Sequence, residues 1–455
     1  MSKRALKKLK RFERIRKKDK ERKVEDRGYS QDIFSETEYY FEDGLRKVYP
    51  YYFTFTTHAK ERWFNKSLIE VFSKEFIAMN SENYRRHIER GKILVNGQKV
   101  KADLLLKNGD EICHKIHRHE NPVIGSKIEI IIDTDDVLVI NKPSSIPCHP
   151  CGKYRHNSIV FILGKEYGYA NLRNIYRLDR LTSGVLILGK SVEATKRLED
   201  QIRNREVLKE YVSRVVGKFP DGIVKVDEPL ACMRHNLTLW RVQKGGKESQ
   251  TSFERISYNG TSSVVRCTPH TGRTHQIRVH LQYLGYPIVN DPFYNSEAWG
   301  PSRGKGGIME RDEKDVVSAI LQEHNVGQWV KGDNPLYKEK FGGMTNIGST
   351  ETGHSLSNEK SPEHQNVTGA ENCELTKDIE SGEFEPKTKK LKLSEENRFD
   401  KDQLSIDIDC EECQNTYKNP EPKDLILYLH AYKYEGPGWS YKASAPYWAA
   451  DDWKN

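Results

Sequence analysis

Short apolar runs rich in β-branched residues recur through the middle of the chain, separated by polar stretches with helical spacing. IEIIID and VLVINKP read as strands, the second ending at a Lys-Pro turn. SIVFILGKEYG has the spacing of a helix, VLILGK (185–190) of a strand and SVEATKRLEDQIRNREV of a polar amphipathic helix. EYVSRVVGKF is a further strand, TSFERISY and SSVVRCTPH a strand pair, and THQIRVHLQYLGY a helix. Strands dominate and several pairs are close enough to be antiparallel. The pattern predicts an α+β domain with a mixed or antiparallel β-sheet core and flanking helices.

Upstream, SENYRRHIERGKILVNGQKVKADLLLKNGDEI runs from a basic helix through a turn at Gly91 into the strand ILV. Asn96-Gly97 between strand-like segments is a strong hairpin signal. Residues 58–118 therefore read as a small α/β module that gathers Arg85, Arg86, Arg90 and Lys92. Residues 1–50 read as a basic, largely disordered arm and connector. From about 330 to 408 the periodicity is lost in a Gly-, Ser-, Asn- and Glu-rich insertion expected to be disordered. Within it, PKTKKLKL (386–393) has the composition of a nuclear import signal. Order returns in LILYLHAYKYEGPGWSYKASAPYWAADDW, so the catalytic domain is expected to span 125–325 and 418–452.

Composition sharpens this division. Of 455 residues, 36% are hydrophobic and 31% charged, too polar for one wholly packed chain. The net charge of +8 favours a polyanionic partner, and the Lys/Arg density of MSKRALKKLKRFERIRKKDKERK points the same way. The acidic residues in that arm argue against a mitochondrial transit peptide. No apolar run is long enough to span a membrane, and no secretory signal is expected. The eight cysteines are scattered and read as reduced thiols. Two pairs have CxxC spacing, Cys148/Cys151 and Cys410/Cys413, but they lie far apart and no metal is assigned to them.

The candidate chemistry lies in IYRLDRLTSG (175–184), which sets Asp179 between Arg177 and Arg180, beside what reads as the end of a buried strand. With the segment that follows, IYRLDRLTSGVLILGK resembles the signature of the RluA branch of pseudouridine synthases, which isomerise uridine within RNA. VLVINKPSSIPCHP, KEYVSRVVG, PHTGRTHQIRVHLQYLGYPIVNDPFY and LHAYKYEGPGW are similar to further family segments, in the family's order. The segment before them resembles an S4 RNA-binding domain. One position departs from the family: Tyr176 stands where His is usual.

This resemblance implies a pseudouridine synthase catalytic fold preceded by an S4-like module. It further implies an isomerase that needs no cofactor. Asp179 matches the catalytic aspartate, Tyr211 the active-site tyrosine, and Arg278 the arginine that pairs with the aspartate. Arg177, Arg180, Thr182, Arg273 and His275 are the expected substrate contacts, and Ser183, Gly184, Gly272 and Thr274 shape the neighbouring turns. Burial would tend to keep Asp179 neutral, and a nearby cation opposes that. Arg85, Arg86, Arg90 and Lys92 are the expected RNA contacts of the module. The expected partner is tRNA and/or mRNA, the expected state a monomer, and the expected location nuclear and/or cytoplasmic. An inactive RNA-binding protein on the same fold is the competing reading, and a glycosylase that releases free uracil is a third.

Overall fold

The computed structural model describes residues 29, 31–76, 79–234, 239–323, 328–330, 334–341 and 397–453. The basic arm up to residue 28, most of the insertion and the PKTKKLKL run lie outside the described residues. Among the described residues no helix is long and apolar enough to cross a membrane.

The front module comprises β1 (Tyr51–His58), α1 (Leu68–Glu75), α2 (Ser81–Glu89), β2 (Ile93–Val95), β3 (Gln98–Lys99) and β4 (Glu111–Arg118). Its four strands form one sheet in the order β1-β4-β2-β3. Ser67 and Asn80 cap the two helices by accepting from backbone N–H groups three residues on. Trp63, Leu68, Phe72, Tyr84, Ile88, Ile93 and Ile112 form its own apolar cluster. The module starts at Tyr51 rather than at residue 58, because β1 pairs with β4 along its whole length.

Behind it lies a ten-stranded sheet. Its main strands are β5 (Glu129–Asp133), β6 (Val137–Lys142), β7 (Ser183–Gly189), β8 (Leu208–Val216), β9 (Ile223–Asp227), β10 (Gln250–Tyr258), β11 (Ser262–Pro269) and β12 (Leu429–Gly436). They run in the order β9-β10-β11-β8-β12-β7-β6-β5. All neighbours along this path are antiparallel except β7 and β12, which are parallel over only two residue pairs, Ser183–His430 and Gly184–Ala431. The C-terminal β12 thus fills the centre of the sheet, although the insertion separates it in sequence from the other strands. Helices α3 (Ile159–Tyr167), α4 (Val192–Arg203) and α5 (Gln276–Leu284) accompany the sheet.

The short parallel seam divides the core. On one side Val137–Ile140, Val185–Leu188 and Leu178 belong to one apolar cluster. On the other, Val215, Phe253, Val265, Leu281 and Leu181 belong to a second. Gly184 permits the seam: its φ is +107°, and a Cβ there would lie 2.2 Å from the Ala431 carbonyl oxygen.

Two segments expected to be disordered are built into the fold. Tyr39–Glu42 and Leu45–Val48 form a hairpin extended by Val123–Ile124. Its Arg46 is 1% exposed, paired with Glu166 and set over the rings of Tyr39 and Phe41. Apolar and aromatic burial outweighs the polar composition of this connector. Likewise, the end of the expected insertion, with residues 409–413 beyond it, packs against the front module through contacts described below.

Candidate active site

A cleft of about 1370 Å³ opens along the seam. Arg177, Asp179, Arg180, Thr182, Tyr211, Arg273, His275 and Arg278 all line it. The fold therefore gathers every residue expected to be catalytic or to touch substrate, from three separate segments.

Asp179 lies in the loop before β7, not at the end of a strand. That loop is clamped along its length. Leu178 and Leu181, flanking the aspartate and its neighbour, are buried in the two different core clusters. The Leu178 N–H donates to the Cys148 sulfur at 3.4 Å. The Thr182 N–H donates to the Asp179 carbonyl at 3.1 Å, closing a tight turn. Lys142, fully buried, donates to the carbonyls of Pro143, Ile146 and Arg180 at 2.8, 2.7 and 3.1 Å. Burial lowers the Lys142 ammonium to about 8.

The Asp179 side chain keeps 31% of its surface open to the cleft. Its Oδ2 is 3.9 Å from an Arg278 guanidinium nitrogen and 3.7 Å from His275 Nε2. Desolvation is the largest influence on this carboxyl and raises its pKa. Arg278 pulls it down, and the second carboxylate, Asp291, pushes it up.

Asp291 was not singled out from the sequence, yet it is Arg278's closer partner. Arg278 donates from Nε and a terminal nitrogen to the two Asp291 oxygens at 2.7 and 2.9 Å. This fork-shaped pair is buried on both sides, with side-chain exposures of 3% and 0%. The backbone N–H groups of Phe293 and Tyr294 also donate to Asp291 Oδ1, at 2.9 and 3.0 Å. Those bonds and Arg278 hold the Asp291 carboxyl below its ordinary range despite burial. The expected Arg278–Asp179 pair is thus a longer contact, with Asp291 fixing the guanidinium. Asp291 stands in the PIVNDPFY stretch, where its spacing of 13 residues from Arg278 carries no helical or strand register that would have linked them.

Arg278 is placed by the start of α5. His275 precedes the helix in the left-handed region, φ +57°. The Gln276 side chain pins this strained entry: its Oε1 accepts from Thr271 and from the Arg273 N–H, and its Nε2 donates to the Gln250 carbonyl. His275 Nδ1 lies 2.9 Å from the Tyr294 hydroxyl. Burial and the nearby Arg278 charge push His275 well below its usual pKa, so it faces Asp179 as a neutral ring. Arg273 donates from Nε to the Glu248 carbonyl at 3.0 Å.

Tyr211, on β8, presents its hydroxyl to that of Tyr434 on β12. Tyr434 in turn stacks on Tyr176, ring centroids 4.9 Å apart and planes 11° apart. Tyr176, standing where the family usually has His, donates its hydroxyl to the Val185 carbonyl at 2.9 Å. Burial drives the Tyr211 and Tyr434 hydroxyls upward, so both are protonated near neutrality. Arg177 is exposed at the mouth, while Arg180 lies over the Tyr154 ring at 5.5 Å.

The four basic residues of the front module are not among the residues lining the cleft. Arg90 pairs with Asp409, and Lys92 reaches Asp407 and Asp409 at 3.0 Å. Arg86 donates to the Asn83 side chain, and Arg85 is exposed on α2. The patch expected to be freely basic is thus half neutralised by acids more than 300 residues away. The two CxxC pairs also part company. Cys148 packs beneath the Asp179 loop, whereas Cys410 and Cys413 gather with His117 and His119 at the end of β4.

The sequence profile of the RNA pseudouridylate synthase family matches residues 136–283. The chain is 42% identical over 429 residues to the human protein named pseudouridylate synthase RPUSD2, covering 94% of this chain and 77% of that one. It is 38% identical over 419 residues to the mitochondrial tRNA pseudouridine(32) synthase of Saccharomyces cerevisiae, covering 89% and 77%. A tRNA pseudouridine(31) synthase of the same yeast is 35% identical over 301 residues, covering 57% and 74%. The nuclear and cytoplasmic placement expected from the basic runs is not retained, because the yeast relative matched over most of the chain is mitochondrial by name. A basic segment attracts polyanions in any compartment, so its charge fixes no address. With the cleft built on the residues of the matched segment, the chain belongs to the RluA-type RNA pseudouridylate synthases, which are isomerases.

Proposed function

We propose that this chain isomerises specific uridines in tRNA, with mRNA as a second class of substrate, and that Asp179 is the reacting carboxylate. The observation that carries the reading is the placement of Asp179: open to the cleft, held on a clamped loop, and faced by an arginine whose other side is already fixed. The reaction breaks N1–C1′, turns the uracil and joins C5 to the same C1′. As nucleophile, Asp179 bonds to C1′ while the N1–C1′ electrons leave with uracil. The C5 attack then expels the carboxylate. As base, it instead removes the 2′ proton to give a glycal and returns it later. Both routes need the ionised form, which Arg278 favours against desolvation.

Tyr211 offers its ring as a stacking face for the extruded base, and its hydroxyl takes up the C5 proton as it passes its own through the Tyr434 hydroxyl to water in the cleft. Arg177 at the mouth and Arg273 beside the helix entry contact the flipped nucleotide or its phosphates. Arg180, Thr182 and His275 shape the walls beside the reacting sugar. Extruding the base costs a few kcal/mol, least for a uridine already in a loop. We further propose that the S4-like front module adds backbone affinity through the exposed Arg85 and Arg86.

Tritium release from tRNA labelled at uridine C5 tests the reading. Wild-type protein releases tritium and Asp179→Ala does not, with activity lower by about a thousandfold or more. Release that survives the substitution removes Asp179 from its role. No release from either protein, with retained RNA crosslinking, favours the inactive binding protein, and free uracil in the products favours a glycosylase.

A further inference from the structure

We propose that His117, His119, Cys410 and Cys413 hold a structural Zn²⁺ ion that clasps the front module to the segment after the insertion. One ligand atom from each of the four lies within 4.8 Å of the others, a spacing that arises between residues almost 300 positions apart in sequence. Tetrahedral zinc, with bonds of about 2.3 Å to sulfur and 2.0 Å to nitrogen, requires ligand separations of about 3.3–3.8 Å. Cys413 Sγ is 3.3 Å from His117 Nδ1 and 3.3 Å from His119 Nε2, so only small shifts admit the ion.

The surroundings are those of a metal knuckle. His117 Nε2 lies 2.7 Å from Ser405 Oγ, and that hydroxyl donates to the Pro50 carbonyl. Ser405 therefore accepts from the His117 Nε2–H, which leaves the Nδ1 lone pair facing the sulfur. The Asp407 N–H points at Cys413 Sγ from 3.5 Å, a donor that stabilises a thiolate. Cys410 and Cys413 bracket one helical turn, with the Cys413 N–H bonded to the Cys410 carbonyl at 3.1 Å. Two thiolates and two imidazoles fill four positions, the composition of closed structural zinc sites. Binding Zn²⁺ displaces the two thiol protons, and the two thiolate charges balance the ion.

The clasp sits where it can organise the cleft rim. Beyond Cys413 the chain runs through the strand Thr416–Lys418 to Lys418, Asn419 and Pro420, which line the cleft. On its other side, Asp407 and Asp409 reach Lys92 and Arg90 of the module. The ion would fix both contacts with one crosslink.

The test is the metal content of the full chain without a histidine tag, dialysed against zinc-free buffer and read by inductively coupled plasma mass spectrometry. We expect about one zinc per chain, lost in Cys413→Ser and in His117→Ala, and kept in Cys151→Ser. Because an unfolded clasp variant would also lose metal, zinc-stripped wild type is titrated with Co²⁺, which should give the absorption of a tetrahedral thiolate site. Absence of stoichiometric metal in the wild type overturns the proposal, as does zinc retained by both clasp variants or lost in Cys151→Ser. Stoichiometric iron in place of zinc overturns the identity of the ion. These readouts do not involve isomerase activity, so they stand or fall apart from the role of Asp179.

Discussion

The catalytic cleft and the front module both organise opposite charges, but over different sequence distances. In the cleft, Arg278 and its partner Asp291 are 13 residues apart and fully enclosed, and their geometry is fixed by two backbone N–H donors. On the module, Lys92 meets Asp407 across 315 residues, and Arg90 stays half exposed. The first arrangement biases the ionisation of Asp179, the proposed reacting carboxylate, in a low-dielectric site. In the second, the Arg90–Asp409 pair is screened and worth at most about 1 kcal/mol, while Lys92 and Asp407 are more enclosed, and together they decide which cations face solvent.

Removing a partner should therefore cost far more in the cleft than on the module. Asp291→Ala leaves the Arg278 charge buried without its fork, a loss of about 3–5 kcal/mol in urea unfolding. Because the folded Asp291 pKa is depressed, its stabilisation is present above the ordinary carboxylate pKa of about 4. It is lost as pH falls through the depressed value, so the wild-type and Asp291→Ala stabilities should converge in acid. Equal stabilities at neutral pH would contradict the buried pair. Tyr434→Phe is a smaller perturbation. It deprives the Tyr211 hydroxyl of its partner, costing about 1 kcal/mol, and should slow isomerisation by about tenfold while leaving RNA affinity unchanged. An unaltered rate would separate Tyr434 from the proton path.

The smallest effect belongs to the module. Asp407→Asn with Asp409→Asn releases Lys92 and Arg90, and RNA binding should tighten by about threefold. The dependence on log salt should steepen by about one unit per cation gained. Fluorescence anisotropy across a salt series reads both, and unchanged slopes would exclude these cations from the RNA path.

The same contrast explains what the sequence disclosed. The strands around VLVINKP, VLILGK and EYVSRVVG were legible because their apolar runs are short and locally bounded. Asp179, Tyr211 and Arg278 stood in continuous motifs, so their convergence could be expected. Asp291 and Tyr434 also stood in quoted motifs, but their roles depend on tertiary contacts, Asp291 with Arg278 and Tyr434 with Tyr176 and Tyr211, that no local periodicity encodes. The connector at 39–48 read as unpacked because Glu42, Asp43, Arg46 and Lys47 charge it, while Tyr39 and Leu45 bury the hairpin. Asp407, at the end of the expected insertion, read as unpacked because its partner Lys92 lies on the module. Cysteine spacing alone assigned no metal, since the further neighbours of Cys410 and Cys413 are histidines at the end of β4, far away in sequence.

The ionisation of Asp179 is tested most directly by the pH dependence of single-turnover pseudouridine formation in wild type and Asp291→Asn. Activity should fall in acid as Asp179 takes up a proton, from a pKa raised above the ordinary carboxylate value by burial. Asp291→Asn removes the repelling carboxylate and frees Arg278 toward Asp179, so the acidic limb should move to lower pH in the folded variant. A limb that stays in place, or moves to higher pH, would contradict control of Asp179 by the Arg278–Asp291 pair.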